Sequence, residues 1–122
     1  MDTNILKAFK RNIGRRPVLG PFSKTSDPAI IETLGFSGFD FVILDLEHGP
    51  NSVETAQNLV RAAERSRILP IVRTEPHNNE QISRVLDVGA AGVQVPHITS
   101  AGDAREALSA AKFAPAGNRG VS

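Results

Sequence analysis

Short apolar runs and amphipathic stretches alternate four times along this chain, with brief links between them. No other feature restricts the fold as much. Parallel strands need a crossover long enough to hold a helix, so this alternation predicts parallel βα units. The first amphipathic stretch, Thr3 to Arg11, carries Ile5, Leu6 and Phe9 at helical spacing, with Thr3 or Asp2 as cap and Gly14 as stop. Val18 to Phe22 is the first predicted strand. Asp27 before Pro28 starts a second helix, with Ile30, Ile31 and Leu34 as its buried face and Gly35 or Gly38 at its end. Phe39 to Leu46 is a strand apolar on both faces, as in a parallel sheet covered by helices.

Asn51-Ser52 caps the next helix, which runs to Arg65 with Val53, Ala56, Leu59, Val60 and Ala63 inward. Leu69 to Arg73 is the third strand. Asn78 or Asn79 opens a helix through Val88, stopped by Gly89. Gly92 to Pro96 is the fourth strand. Ser100 caps a last helix to Phe113, with Ala104, Ala107, Leu108 and Ala111 along one side. Two architectures fit: a small open parallel sheet with helices on both faces, or the N-terminal half of a (β/α)8 TIM barrel. Each unit spans roughly 25 to 30 residues, which matches a barrel of about 250 residues cut near its middle. Residues 1–122 are expected to be a single portion of such a barrel, since the ending PAGNRGVS reads as a loop and not as a finished element.

With 14 Lys+Arg against 13 Asp+Glu the net charge is +1, which gives no electrostatic reason to propose nucleic acid or an anionic membrane as partner. No apolar run approaches a membrane span, and MDTNILKAFKRN does not read as a signal peptide. Cysteine is absent, so the expected address is cytoplasmic. No GxGxxG or GxxxxGK[ST] follows any strand, so nucleotide binding has no motif support.

The strands end in chemistry. FVILDLEHGP closes the second strand with Asp45, Glu47 and His48; the third ends at Arg73, with Glu75 and His77 beyond; the fourth leads to His97. Buried charge is costly unless paired or used, and parallel α/β folds build their sites at this edge. Arg73 reads equally as a structural partner of Asp45 or Glu47 and as a planar fork for a carboxylate or oxyanion. Asp45 is expected to hold the His48 imidazole in one tautomer while His48 moves a proton. His77 reads as a solvated loop residue; His97 reads as either a partner of the site or a plain loop residue, with the plain reading preferred. A base beside a carboxylate clamp suits chemistry at the carbon next to a carbonyl in a small oxo acid. Such chemistry needs an electrophile; lysine is absent from the strand ends apart from Lys24, so a divalent metal is the natural choice.

GFDFVILDLEHGPNS, PIVRTEP, RVLDVGAAGVQVPHI and AREALSAAKFAPAGNRGVS, in this order, together resemble the HpcH/HpaI aldolase family of metal-dependent pyruvate aldolases. The resemblance implies a (β/α)8 barrel of twice this length. It implies retro-aldol cleavage of a 2-oxo-4-hydroxy acid to pyruvate and an aldehyde, and a homo-oligomer. By resemblance His48 is the catalytic base, Asp45 its carboxylate partner and Arg73 the pyruvate-binding residue. Glu47 lies near the waters of a Mg²⁺ or Mn²⁺ ion, and Arg119-Gly120 lies in a loop near the site mouth. The family's metal-binding Glu and Asp come from the second half of the barrel, so this chain is expected to hold none of the metal ligands. The alternative in another class is a non-catalytic half-barrel acting as an assembly module. Its open inner face would show Val42, Leu44, Val72 and Val95 and lead it to aggregate, dimerise or require a partner. A third reading, a hydrolase metal on His48, His77 and His97, lacks any HxH or HExxH spacing.

Overall fold

The computed structural model describes residues 2–121. Its elements run α1 (Thr3–Ile13), β1 (Phe22–Ser23), α2 (Pro28–Phe36), β2 (Phe41–Asp45), α3 (Val53–Arg65), β3 (Leu69–Arg73), α4 (Asn79–Asp87), β4 (Gly92–Gln94) and α5 (Ala101–Ala111). Each helix begins where a short polar side chain can accept an orphan N–H of the first turn. Asp2 accepts from Asn4, Asp27 from Ala29, Ser52 from Thr55, Asn78 from Gln81 and Ser100 from Asp103, at 2.8 to 3.2 Å.

The four strands form one parallel sheet in sequential order, β1-β2-β3-β4. Right-handed crossovers in sequential order place every connecting helix on the same face. Accordingly α2 packs on α3, α3 on α4 and α4 on α5. The sheet covered on both faces is therefore not what forms; the arrangement is four βα units of half a (β/α)8 barrel. Helix α1 closes the N-terminal strand edge, with the Phe9 ring edge-on to Phe41 at 5.8 Å.

The core lies between sheet and helices. Val42, Leu44, Leu46 and Val72 meet Ile31, Leu59, Val60, Ala63 and Val85 there. Val42, Leu44 and Val72 are fully buried against the helices. They do not line the inner face, contrary to the expectation from sequence. Side chains alternate along a strand, so the inner face carries the other parity: Phe41, Ile43 and Asp45 on β2, Ile71 and Arg73 on β3. A strand apolar on both faces does not announce which parity turns inward.

Four other expectations shift. The first strand is only Phe22–Ser23, because Leu19 spends its carbonyl on the N–H groups of Asp40 and Phe41 before the ladder starts. Strand β4 stops at Gln94, two residues before Pro96, which has no N–H to donate. Gly35 does not end α2, which continues through Phe36; Gly38, at φ +94°, follows the cap. Ile30 and Leu108 face outward, 48% and 55% exposed, while Ile31 and Ala110 are buried.

Candidate active site

Register places Asp45 directly opposite Arg73, and Arg73 opposite Gln94, at the C-terminal strand edge. Asp45 is fully buried. Its Oδ1 accepts the Arg73 Nε–H at 3.0 Å and its Oδ2 accepts Nη2–H at 2.7 Å. Oδ1 also accepts the backbone N–H groups of Glu47 and His48, at 3.0 and 3.2 Å. The guanidinium, ahead of the backbone donors and against the cost of burial, holds the Asp45 carboxyl down at about 2. The same bonds raise the Arg73 guanidinium above its ordinary value. The guanidinium also lies over the Phe22 ring, 4.6 Å from its centroid.

This fork is half used. Nε and Nη2 are committed to Asp45, while Nη1 stands 3.6 Å from Glu47 Oε1, beyond hydrogen-bond range. Glu47 is nearly buried, with a 6% exposed side chain, and stands between two imidazoles. His48 Nε2 lies 2.9 Å from Oε1, and His97 Nε2 lies 3.2 Å from Oε2. Both rings are within reach of Glu47 but neither is aligned to donate to it, and Oε2 accepts no hydrogen bond among the described residues.

The expected partnership of Asp45 with the His48 imidazole is not the one that forms. Asp45 takes the backbone N–H of His48, and the ring goes to Glu47. The cause is register: Arg73 sits opposite Asp45 and occupies both of its oxygens. His97, expected to be a plain loop residue, reaches the same Glu47. Its backbone turns there through φ +56°, a conformation uncommon outside glycine. His77 is exposed and acts on Asp103, whose carboxyl is lowered first by the Thr99 backbone N–H and hydroxyl and last by His77. Arg119 lies elsewhere. It pairs at 2.6 Å with Asp87, the last residue of α4, and α4 runs against the strands, so this pair belongs to the N-terminal edge and not to the site mouth. Phe22 went unnoticed in the sequence. Its place opposite Ile43 gives it the parity of Asp45, and that period was the available signal.

Among the described residues no group of three or more His, Asp or Glu side chains is arranged to hold a metal ion. Asp45 is saturated by donors, and Glu47 Oε2 is the buried carboxylate oxygen left open. These side chains do not build a metal cage by themselves, and the three-histidine centre does not assemble. No helix among the described residues is long and apolar enough to cross a membrane.

Comparison with known proteins gives a consistent result. A 4-hydroxy-2-oxo-heptane-1,7-dioate aldolase of Escherichia coli is 38% identical over 121 residues, covering 99% of this chain and 45% of that protein. A 5-keto-4-deoxy-D-glucarate aldolase of Escherichia coli O139:H28 is 34% identical over 115 residues, with 93% of this chain and 45% of that protein covered. Among solved structures, the citrate synthase SbnG superposes with a TM-score of 0.86 at 36% identity, over 93% of this chain and 46% of its own. An HpcH/HpaI aldolase from Desulfitobacterium hafniense DCB-2 gives a TM-score of 0.83 at 28% identity, over 100% of this chain and 45% of its own. The chain thus spans about half the length of the curated relatives it matches. The model of one family covers residues 19–122, all four strands included: the chain belongs to the HpcH/HpaI aldolase/citrate lyase family.

Proposed function

We propose that this chain supplies the proton-transfer and oxo-acid-binding half of an aldolase site, one that cleaves a 2-oxo-4-hydroxy acid to pyruvate and an aldehyde. The carrying observation is the half-used guanidinium of Arg73. Asp45 fixes two of its nitrogens and leaves Nη1 without a hydrogen bond, 3.6 Å from Glu47 Oε1. A fork fixed in this way is suited to the oxygens of a small oxo acid, and it needs no reorganisation when charge develops on them. Phe22 covers one face of the guanidinium and restricts approach to its edge.

In the cleavage direction His48 accepts the proton of the C4 hydroxyl. The C3–C4 bond breaks, the aldehyde leaves, and the electron pair becomes the pyruvate enolate. Protonation at C3 then yields pyruvate. Glu47 orients the His48 ring through Nε2, which leaves Nδ1 for the substrate. A divalent cation, held by residues other than those described, would supply Lewis-acid polarisation of the 2-oxo group. The described residues offer it only Glu47, suited to accept a hydrogen bond from an ion-bound water. The complete protein is a homo-oligomer in this reading.

A second reading, the non-catalytic half-barrel module, is favoured by the outer edges of β1 and β4, which have no strand partner among the described residues. Exchange of pyruvate methyl protons in D₂O with Mg²⁺ or Mn²⁺ separates the two. In a complete protein bearing these residues, exchange that is lost in His48→Ala supports the aldolase reading. No metal-dependent exchange in that protein overturns it in favour of the module.

A further inference from the structure

Glu47 has a partner that the mechanism above does not use. Its Oε2 is buried and accepts no hydrogen bond among the described residues, although His97 Nε2 stands only 3.2 Å away. A buried carboxylate oxygen without a donor is costly, so an available donor at that distance matters. His97 reaches the place through a left-handed backbone turn at φ +56°. A β-carbon disfavours that conformation, and such strain persists where the surroundings hold it. The imidazole is mostly exposed, 64%, so packing does not explain its position.

We propose that His97 is a positioning residue: it donates Nε2–H to Glu47 Oε2 and thereby fixes the carboxylate whose other oxygen, Oε1, orients the His48 imidazole. The geometry is a carboxylate flanked at both ends, with His48 Nε2 2.9 Å from one oxygen and His97 Nε2 3.2 Å from the other. Once Glu47 is fixed, His48 keeps its proton on Nε2 and presents Nδ1 as the lone-pair nitrogen. The role in turnover rests on the aldolase reading; the coupling of His97 to the His48 ring does not.

Three variants test it: His97→Gly, His97→Ala and His97→Gln. Long-range nitrogen–proton spectra of histidine-labelled protein report the tautomer of the His48 ring directly. Wild type should show one tautomer. His97→Ala and His97→Gly should bring the two His48 ring nitrogens toward a common averaged shift, and His97→Gln, which keeps an amide donor, should restore the separation. His97→Gly should melt no lower than wild type, because glycine accepts the positive φ freely. In the complete enzyme His97→Gly should lower kcat about tenfold, as expected for loss of an outer hydrogen-bond partner, with KM changed less than about twofold. An unchanged His48 spectrum in both His97→Gly and His97→Ala overturns the proposal, as does a lowered melting point of His97→Gly with His48 unaffected. Absence of aldol turnover in the wild-type complete protein overturns the aldolase reading alone, since the ring spectra still decide whether His97 acts on His48.

Discussion

Asp45 and Arg73 stand opposite each other across β2 and β3, joined by two hydrogen bonds of 3.0 and 2.7 Å with the carboxylate fully buried. The pair serves two ends. It lets a charged group close the inner end of a buried strand, and it aims the remaining nitrogen of the guanidinium. Neither residue is free to act as base or nucleophile, and the proposed site assigns proton transfer to His48 on the adjoining loop.

The first prediction concerns acid. The Asp45 carboxyl is lowered in the folded protein, so its contribution to stability is complete above the ordinary aspartate range and is lost as pH falls from about 4 through about 2. A displacement from 3.8 to about 2 corresponds to about 2 kcal/mol. Asp45→Asn should therefore lower stability at neutral pH by about 2 kcal/mol or somewhat more, since Arg73 loses its partner. The gap between wild type and variant in chemical denaturation should narrow toward pH 2. A gap that stays constant between pH 6 and pH 2 contradicts the assignment of this ion pair.

The second concerns the fork. Arg73→Lys keeps the charge but cannot bond Asp45 through two nitrogens and still offer a third. In a complete protein the affinity for pyruvate should drop at least tenfold, with turnover falling as well, measured by calorimetry and steady-state kinetics. Unchanged pyruvate affinity would show that Arg73 is only the structural partner of Asp45.

Much of this was legible in the sequence. Helix starts were plain because Asp27-Pro28, Ser52, Asn78 and Ser100 are capping residues with one role. The strand-end residues were plain because charge interrupts apolar runs at Asp45 and Arg73. Pairing was not legible. Whether Asp45 meets His48 or Arg73 depends on register between β2 and β3, which no local pattern fixes. The inward parity of β2 was hidden by its apolar character on both faces, although the shared period of Phe41, Ile43 and Asp45 carried it. His97 was weighed as a site partner but read as a loop residue, because its approach to Glu47 depends on one positive φ, and a histidine in a loop does not advertise its backbone angle.

The third prediction concerns packing. Gly35 lies inside α2, where a β-carbon would collide with the Ser66 side chain and carbonyl at the end of α3. The glycine is there for the close approach of two helices, not as a helix stop. Gly35→Ala improves helix propensity by up to about 1 kcal/mol. It should nevertheless destabilise the protein, because overpacking costs about 1–3 kcal/mol and, beyond the Ser66 hydroxyl, the β-carbon meets Ser66 Cβ and carbonyl oxygen, which no rotamer change can move. Thermal melting decides the sign. A higher melting temperature would mean that α2 and α3 separate without cost.

The fourth concerns association of the isolated 122-residue chain. The sheet order ends at β1 and β4, so the outer edge of each has no strand partner among the described residues. The inner face is less bare than a half-barrel suggests: Ile43 is only 8% exposed, and Arg73 and Phe22 lie together above the strand ends. The apolar side chains that stay open include Phe22 at 52%, near the β1 edge, along with Leu19, Phe36 and Leu108. Unpaired parallel edges are templates for another strand, and β4 carries no charged residue to blunt them. The chain should therefore run above its 13.1 kDa mass in light scattering at micromolar concentration. Replacing Val93 leaves the edge intact, because its side chain packs toward the core. Gln94→Lys instead places a charge on the edge strand, and it should reduce the apparent mass more than Gln94→Ala does. A monodisperse monomer of wild type with cooperative melting would mean that the edges close on themselves and that this half needs no partner to be stable.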